Sequence, residues 1–456
     1  MLAFLNTVMV STTYRYIAFE MGGGRTDGIR KVFNISLVIH LSLAVLVLIL
    51  AETVGVFYIN NYLNVELRKV PDALFIMRFS ALATSFSVAS IPYQGLVTAH
   101  EKFGVRVTIE ILRSVLVFLA AFFIAFFDNK LRMYVILITI ANGTPSLFFF
   151  LYCKKKYKDI TRWQLQKDFS KYREMLRFSF WIMFGAAAEV SKIEGTALII
   201  NIFFGTVLNA TFGIAKQVNS LILMFSQNLG QAAIPQITKS FSSGNTDRSI
   251  FLACYISKYT CFLMLIPAIP ILLETDFLLQ IWLGTVPPYT SIFCQLMIVA
   301  GLINGLNAGM SAMVQATGKI KYFQIILSIT SLMSLPIAYV LFKAGYPPYS
   351  IQFAFIATAL INCVVWQILL KRLLDFDVIY LMKASWIKVF YVVMLMLPLF
   401  FVRDIFPPGI VGFFLISFFA ICWLGIVIYM AGTEKEEKLF VNEMISKFFI
   451  KVKIYG

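Results

Sequence analysis

The chain is poor in the side chains that carry catalysis and metal binding. It has two histidines, His40 and His100, and neither has the spacing of a metal ligand set. Its six cysteines contain no C-x-x-C pair, so they indicate apolar packing rather than zinc or redox chemistry. The glycine run at 22–24 lacks the Lys-Ser/Thr that follows a phosphate-binding loop. The sequence therefore predicts no catalytic residue, no metal and no cofactor, and it argues against an enzyme.

Charged residues are also scarce, and their scarcity excludes a soluble fold. They make up 14% of the 456 residues, whereas 60% are hydrophobic and the mean hydropathy is +0.83. Four apolar runs are clearly long enough to cross the hydrocarbon core of a bilayer, at 33–59, 107–127, 133–153 and 410–430. Because lipid offers no partner to free backbone groups, these runs predict helices. The predicted fold class is therefore an all-α integral membrane protein.

The apolar runs predict about 13 transmembrane helices. Their approximate ranges are 1–19, 33–59, 73–98, 106–127, 132–153, 174–202, 206–236, 250–273, 288–316, 321–342, 349–370, 387–402 and 410–430. Basic residues recur in every second loop, so the net charge of +16 indicates membrane orientation rather than a nucleic-acid partner. We place these basic loops in the cytoplasm, which leaves Met1 on the outer side.

An internal repeat is visible in three short matches. The sequence at 24–27 is similar to that at 244–247, the sequence at 52–53 to that at 274–275, and the sequence at 97–102 to that at 314–319. The matches keep their order and their side of the membrane, so they predict two parallel pseudo-symmetric helical bundles. Chance similarity between apolar helices is the alternative. The predicted divisions are an N-terminal bundle at 1–153, a basic cytoplasmic linker at 154–173, a C-terminal bundle at 174–371, two additional helices within 372–430, and a cytoplasmic tail at 431–456.

Charged side chains inside the predicted spans are the candidate site residues, because a charge in hydrocarbon is costly without a partner or water. Lys192 shares a helix face with Glu189, and a plain structural ion pair is the alternative role for these two. The basic set exceeds the acidic one, which predicts a cationic cavity suited to an anionic cargo such as a pyrophosphate. The predicted cargo-binding cations are Arg15, Arg78, Arg113, Lys192, Lys216 and Lys258, and the predicted ion-coupling or ion-pair acids are Glu110, Glu189 and Glu194.

The seventh predicted span carries a polar stripe that cannot face lipid. Lys216 lies on this stripe, and its charge favours a watery cavity over a neighbouring helix. The other polar members of the stripe are Asn209, Ser220, Gln227 and Gln231.

The chain resembles the Wzx-like polysaccharide and O-antigen flippases of the multidrug/oligosaccharidyl-lipid/polysaccharide (MOP) exporter superfamily. The resembling stretches cover nearly the whole chain: RYIAFEMGGG at 15–24, IPY at 91–93, AHEKFGV at 99–105, FFG at 203–205, NATFGIAKQVN at 209–219, IPQITKSFSSGN at 234–245, LLETDFLLQIWL at 272–283 and ATGKIKYFQI at 316–325. They are framework motifs that name no sugar. Relative to this family pattern, the sequence starts as if the first helix of the first bundle were missing.

The resemblance implies two six-helix bundles in a V-shaped, MATE-like arrangement, with two further helices at the C-terminus. It also implies a bacterial inner membrane and a cargo of undecaprenyl-pyrophosphate-linked oligosaccharide, turned over by alternating access in O-antigen or capsular polysaccharide synthesis. The expected partners are this lipid-linked substrate and membrane lipids, with a polysaccharide polymerase and glycosyltransferases as candidates and no nucleic acid. The alternatives are a multidrug efflux antiporter of the same superfamily and a membrane-embedded polymerase or glycosyltransferase.

Overall fold

A computed structural model describes residues 3–61, 67–374, 377–434 and 437–439 of the chain, and these form helices joined by turns and by a longer connector at 157–168. Most of the predicted tail, at 440–456, lies outside the described residues. The helices are α1 (Ala3–Gly22), α2 (Thr26–Leu50), α3 (Val56–Asn61), α4 (Val70–Ala99), α5 (Phe103–Phe123), α6 (Lys130–Lys156), α7 (Phe169–Ser242), α8 (Thr246–Leu273), α9 (Thr275–Leu283), α10 (Thr290–Gly305), α11 (Ala308–Thr317), α12 (Lys321–Leu332), α13 (Ser334–Lys343), α14 (Ser350–Leu374), α15 (Val378–Leu381), α16 (Ile387–Met396), α17 (Leu399–Val402) and α18 (Ile410–Val427).

The helices confirm the predicted all-α membrane fold. Among the described residues, 10 helices are long and apolar enough to cross a membrane, or up to 11 if the bent pair of α10 and α11 is one span. The predicted span at 288–316 consists of two helices in the structure, because α10 and α11 are bent by 42° at a break between Gly305 and Ala308. The number of spans predicted from the sequence is larger because it includes α1 and because it treats α7 as two spans.

The 74-residue helix α7 is two helices joined by a turn at Gly205. Gly205 has a φ of 82° and a ψ of −173°, a conformation that glycine adopts readily and other residues avoid. Glu194 and Lys216 lie at equal distances along the chain from Gly205 and form an ion pair of 2.7 Å. In one straight helix they would stand about 33 Å apart, so the chain reverses at Gly205 and the two halves run antiparallel. This turn confirms the loop predicted between the spans at 174–202 and 206–236.

The repeated loops at 24–27 and 244–247 have the same local structure. Gly24 and Gly244 both have positive φ, at 67° and 83°, between a helix that ends and a helix that begins at the equivalent position. The Arg25 amide donates to the Glu20 carbonyl at 3.0 Å, and the Asn245 amide makes the equivalent bond at 3.1 Å. Each loop therefore ends its helix with the same glycine-dependent turn.

The repeated turns at 97–102 and 314–319 also share a backbone conformation. Glu101 has a φ of 57° and Gly318 a φ of 76°, so both lie in the left-handed region at equivalent places in the repeat. Their amides make the same bond to the carbonyl three residues earlier, at 2.9 Å and 3.2 Å. A glutamate occupies this position in one copy, where glycine would be strain-free.

The chain divides into two compact units, each with its own packing. Unit 1 comprises Met1–Ala186, Gln231–Ser249 and Gln315–Lys321, and in it α4 packs against α1, α2, α5 and α6. Unit 2 comprises Ala187–Gly230, Ile250–Val314 and Tyr322–Gly456.

The core of unit 2 has two main clusters of buried apolar side chains. One cluster surrounds Phe293 and joins the Gly205 hairpin to α10, α13 and α14. The other joins α8 to α16 and α18, with Phe262 and Val392 among its buried residues. The two C-terminal helices are therefore anchored on α8 within unit 2.

Candidate functional site

The charge pair with the greatest exposure among the candidate residues lies in the Gly205 hairpin of unit 2. Lys216 Nζ lies 2.7 Å from Glu194 Oε1, and the two side chains are 47% and 60% exposed. Both residues are about 11 positions from Gly205, which places them about 16 Å along their helices from the turn. A half-exposed ion pair at that depth cannot lie in hydrocarbon without a large desolvation cost, so it requires a polar surrounding.

Two residues before Glu194 on the first half of the hairpin, Lys192 forms a second pair. Its Nζ lies 2.5 Å from Glu189 Oε1, and its ammonium lies 5.0 Å from the centre of the Phe355 ring. Lys192 is buried, whereas Glu189 is 54% exposed. The pair that the sequence offered as a structural alternative is therefore present, with its acidic member open to the surroundings.

The polar stripe on the second half of the hairpin is largely exposed. Ser220 and Gln227 are exposed, and Asn209 and Gln231 are intermediate. Ser220 also borders a cavity of about 490 Å³ in unit 2, together with Gln217 and the indole of Trp282. The stripe and the Glu194–Lys216 pair thus belong to one polar side of this hairpin.

In unit 1, α5 carries the predicted pair of Glu110 and Arg113. Arg113 Nε donates to Glu110 Oε2 at 2.9 Å, and its Nη1 donates to the side-chain oxygen of Asn142 on α6 at 3.2 Å. Both charged side chains are nearly half exposed. Asn142 is a polar partner that the sequence analysis missed, because nothing in the spacing of two separate spans joins it to Arg113.

Arg15 is buried and serves as a helix cap. Its Nε and Nη2 donate to the carbonyls of Gln315 and Ala316 at 3.0 and 2.8 Å, at the carbonyl end of α11. The guanidinium also lies 4.5 Å from the Tyr16 ring centre and 5.2 Å from that of Phe178. A helix C-terminus attracts a cation, so these contacts give Arg15 a structural role. Within the described residues, it is the one candidate cation without a carboxylate at ion-pair distance.

Two more candidate cations have carboxylate partners that the sequence analysis did not identify. Arg78 makes a two-bond pair with Glu52, at 2.8 and 2.9 Å. Lys258 is fully buried and donates to both carboxylate oxygens of Glu437, at 2.7 and 2.8 Å, and the Tyr259 hydroxyl donates to Glu437 Oε1 at 2.7 Å. These partners reduce the cationic excess that the sequence predicts, and they leave Lys258 no exposed surface for a cargo.

The structure also groups Glu101 with the end of α7, a cluster that the sequence analysis missed. Glu101 accepts hydrogen bonds from Lys239 Nζ at 2.6 Å and from the Gln236 amide at 3.0 Å. Burial by itself raises the pKa of the Glu101 carboxyl, but the two hydrogen bonds and the nearby charges of Lys239 and His100 together outweigh it, and the pKa lies below its usual value. The internal repeat could have indicated this residue, because it aligns Glu101 with Gly318 and so shows a glutamate at a turn position where the other copy has glycine.

In the parts of the chain that the structure describes, no three His, Cys, Asp or Glu side chains lie close enough together to hold a metal ion.

Solved transporter structures share this helical arrangement. A MATE in the straight conformation aligns with a TM-score of 0.72 at 16% identity, over 82% of this chain and 85% of that chain. An outward-facing multidrug resistance MATE family transporter of the MOP superfamily aligns with a TM-score of 0.70 at 15% identity, over 82% and 85%. The chain has the MATE-transporter fold.

A third structural neighbour differs in the described character of its binding pocket. It is a MOP superfamily transporter from Pyrococcus furiosus, with a TM-score of 0.65 at 16% identity over 79% of this chain and 82% of that chain. Its binding pocket is described as having reversed polarity, which suggests a different function. No family profile and no curated protein sequence matches the chain. The fold and the apolar helices together make this a multi-pass membrane protein.

Proposed function

We propose that this MATE-fold protein is a flippase that carries undecaprenyl-pyrophosphate-linked oligosaccharide across a bacterial inner membrane by alternating access, in O-antigen or capsular polysaccharide synthesis. The fold, which it has in common with transporters of the MOP superfamily, supports a transport role. The resemblance of its framework motifs to Wzx-like flippases supports the lipid-linked cargo. The observation that carries the proposal is the half-exposed Glu194–Lys216 pair of the Gly205 hairpin.

Lys216 is suited to hold a diphosphate because its ammonium is accessible at mid-span. A cargo phosphate desolvated in the membrane needs charge-assisted donors, and an ammonium supplies three N–H groups. Glu194 competes for the same donors at 2.7 Å. Binding of a coupling ion by Glu194 removes this competition, so ion binding by the acid and diphosphate binding by Lys216 are coupled. Lys192 and Arg113 are further proposed cargo contacts, and their acids Glu189 and Glu110 have the equivalent coupling role.

Reconstituted protein tests the proposal directly. Lys216→Ala should lower the rate at which lipid-linked oligosaccharide reaches the opposite leaflet of proteoliposomes by about 10-fold or more, as expected for the loss of a hydrogen bond between charged groups. Lys343→Ala is the matched control, because Lys343 is an exposed lysine in the last turn of α13. An unchanged rate for Lys216→Ala, with normal insertion of the protein, would refute the role of Lys216.

A multidrug efflux antiporter is the second candidate, since one structural neighbour is a multidrug resistance transporter. A drug exporter for cationic compounds needs acids that are available to the drug, and here Glu189 and Glu194 are more than half exposed. The same proteoliposomes separate the two functions when they are loaded with a fluorescent cationic drug. Drug efflux without movement of lipid-linked oligosaccharide would favour the antiporter and contradict the flippase.

A further inference from the structure

Unit 1 contains an apolar groove away from the charged candidates. The groove has a volume of about 780 Å³ and runs along α4 between α2 and α6. Phe86, Ile140 and Leu147 on its walls are more than half exposed, so the groove is open along its side. Two of its few polar residues use their hydroxyls within their own helices: Ser90 donates to the Ser87 carbonyl and Thr144 to the Ile140 carbonyl, each at 2.8 Å. The groove therefore presents a hydrocarbon-like surface to its occupant.

The length of the groove indicates what kind of chain fits it. Its α4 wall extends from Phe79 to Tyr93 and its α6 wall from Ile136 to Phe150, which is about 21 Å on each helix. Half of the hydrocarbon core of a bilayer is about 15 Å thick. A chain that fills the groove therefore crosses the bilayer midplane. An acyl chain anchored in one leaflet ends near that plane, whereas a long isoprenoid chain continues past it.

Positively charged side chains lie at one end of the groove. Lys154 is one turn beyond Phe150 on α6, with its ammonium 5.9 Å from the Phe150 ring centre and 3.1 Å from the Thr161 carbonyl. At the same end of α2, the buried Asn34 bonds the carbonyl of Arg162 at 3.2 Å and the amide of Gln164 at 3.0 Å. These bonds hold the basic connector at 154–173 beside the end of the groove.

We propose that this groove binds the isoprenoid chain of a polyprenyl diphosphate, with the diphosphate held at its basic end by Lys154 and Arg162. The inference rests on the proposed function and adds to it a place in unit 1 for the lipid part of the cargo. The ammonium of Lys154 donates one hydrogen to Thr161 and retains two for a phosphate oxygen. The exposed indole of Trp163 adds a side chain typical of the membrane interface at the same end.

Filling the groove tests this assignment. A Cβ at Gly143 would meet no atom within 4 Å, so Gly143→Leu places its side chain into the groove without a backbone clash. Gly425→Leu is the matched control, because Gly425 is also helical and also has no neighbour within 4 Å of an added Cβ, but lies exposed on α18 in unit 2. Ile140→Trp narrows the groove in a second way if Gly143→Leu lowers the yield of folded protein.

The measurement is retention of added lipid by purified full-length protein, read by native mass spectrometry. The probes are undecaprenyl diphosphate, undecaprenol and dioleoyl phosphatidylglycerol. We expect undecaprenyl diphosphate to bind most tightly, Gly143→Leu and Ile140→Trp to weaken its binding about 10-fold or more through lost apolar contact, and Gly425→Leu to match the unchanged protein. Lys154→Gln with Arg162→Gln should reduce the preference for undecaprenyl diphosphate over undecaprenol.

The outcomes separate this inference from the proposed function. If undecaprenyl diphosphate binds as tightly to Gly143→Leu and Ile140→Trp as to the unchanged protein, the groove assignment is overturned while the flippase proposal stands. Equal retention of phosphatidylglycerol overturns the argument from chain length. If undecaprenyl diphosphate fails to bind the unchanged protein at all, both the groove and the flippase proposal are overturned.

Discussion

Replacing Glu101 by glycine and by alanine gives a sharp test of the turn at the end of α4. Glu101 holds a φ of 57°, which costs a residue with a side chain about 1 kcal/mol or more. Its carboxylate also makes two hydrogen bonds, to Lys239 and Gln236. Hydrogen bonds to a charged group contribute about 1.5–3 kcal/mol to stability. The lower half of that range applies here, because the side chains of Glu101 and Lys239 are 29% and 26% exposed.

The two substitutions separate the backbone strain from the side-chain bonds. Glu101→Ala loses the bonds and keeps the strain, so we expect a loss of about 2 kcal/mol. Glu101→Gly loses the same bonds but relieves the strain, which leaves a net loss of about 1 kcal/mol. Glycine should therefore be the more stable replacement, the reverse of the usual order.

The assay is the apparent melting temperature of purified protein in detergent, followed by intrinsic fluorescence. Lys102 is the matched control position, because it is exposed and has an ordinary φ of −82°, so Lys102→Ala should be at least as stable as Lys102→Gly. If Glu101→Ala proves as stable as Glu101→Gly, the turn stores no strain. If both equal the unchanged protein, the bonds to Lys239 contribute nothing.

The sign of the pH dependence of this turn follows from the lowered pKa of Glu101. A carboxylate whose pKa is lower in the folded state stabilises that state fully above its ordinary value of 4.5. This contribution is lost as the pH falls through the folded-state pKa. The difference between the unchanged protein and Glu101→Gly should therefore be constant near neutral pH and shrink only in acid.

Two further predictions concern partners of buried cations. Gly318→Ala should lower the melting temperature more than Gly345→Ala, because both glycines have positive φ but only at Gly318 would a Cβ meet Arg15, 2.7 Å from its Nη2; equal losses would refute the contact. Glu437→Gln should cost about 3–5 kcal/mol because it leaves the buried Lys258 unpaired, and adding Lys258→Met should restore much of the loss in the same melting assay. A double variant no more stable than Glu437→Gln would contradict the pairing.

The helical fold could be predicted because hydrophobicity and span length are local properties. The run at 410–430 is apolar throughout, and the structure has a span there at Ile410–Gly432. The break between Gly305 and Ala308 was not predictable in the same way, because apolar residues continue on both sides of it. Hydropathy indicates that a segment crosses the membrane, but it carries little information about a bend inside an apolar segment.

The same distinction applies to the site residues: contacts between residues close in sequence could be predicted, and contacts between distant residues could not. Glu189 and Lys192 are three positions apart, and helical geometry alone brings them together. Lys258 and Glu437 are 179 positions apart, and no spacing rule connects them. Their pairing depends on how the segment after α18 returns to α8, which is a property of tertiary packing. A count of charges inside spans therefore overestimated the free positive charge.

The pair of Glu194 and Lys216 is intermediate between the local Glu189–Lys192 pair and the distant Lys258–Glu437 pair. This intermediate position has a functional consequence. It depends on one turn, at Gly205, and the equal spacing of the two charges about that turn was available in the sequence. Because its members lie on opposite halves of the hairpin, any movement that slides or separates the halves changes their distance. The Lys192–Glu189 pair lies within one helix and is unaffected by such a movement. Of the two lysines, Lys216 is therefore the one whose availability to an anion can depend on the conformation of the protein.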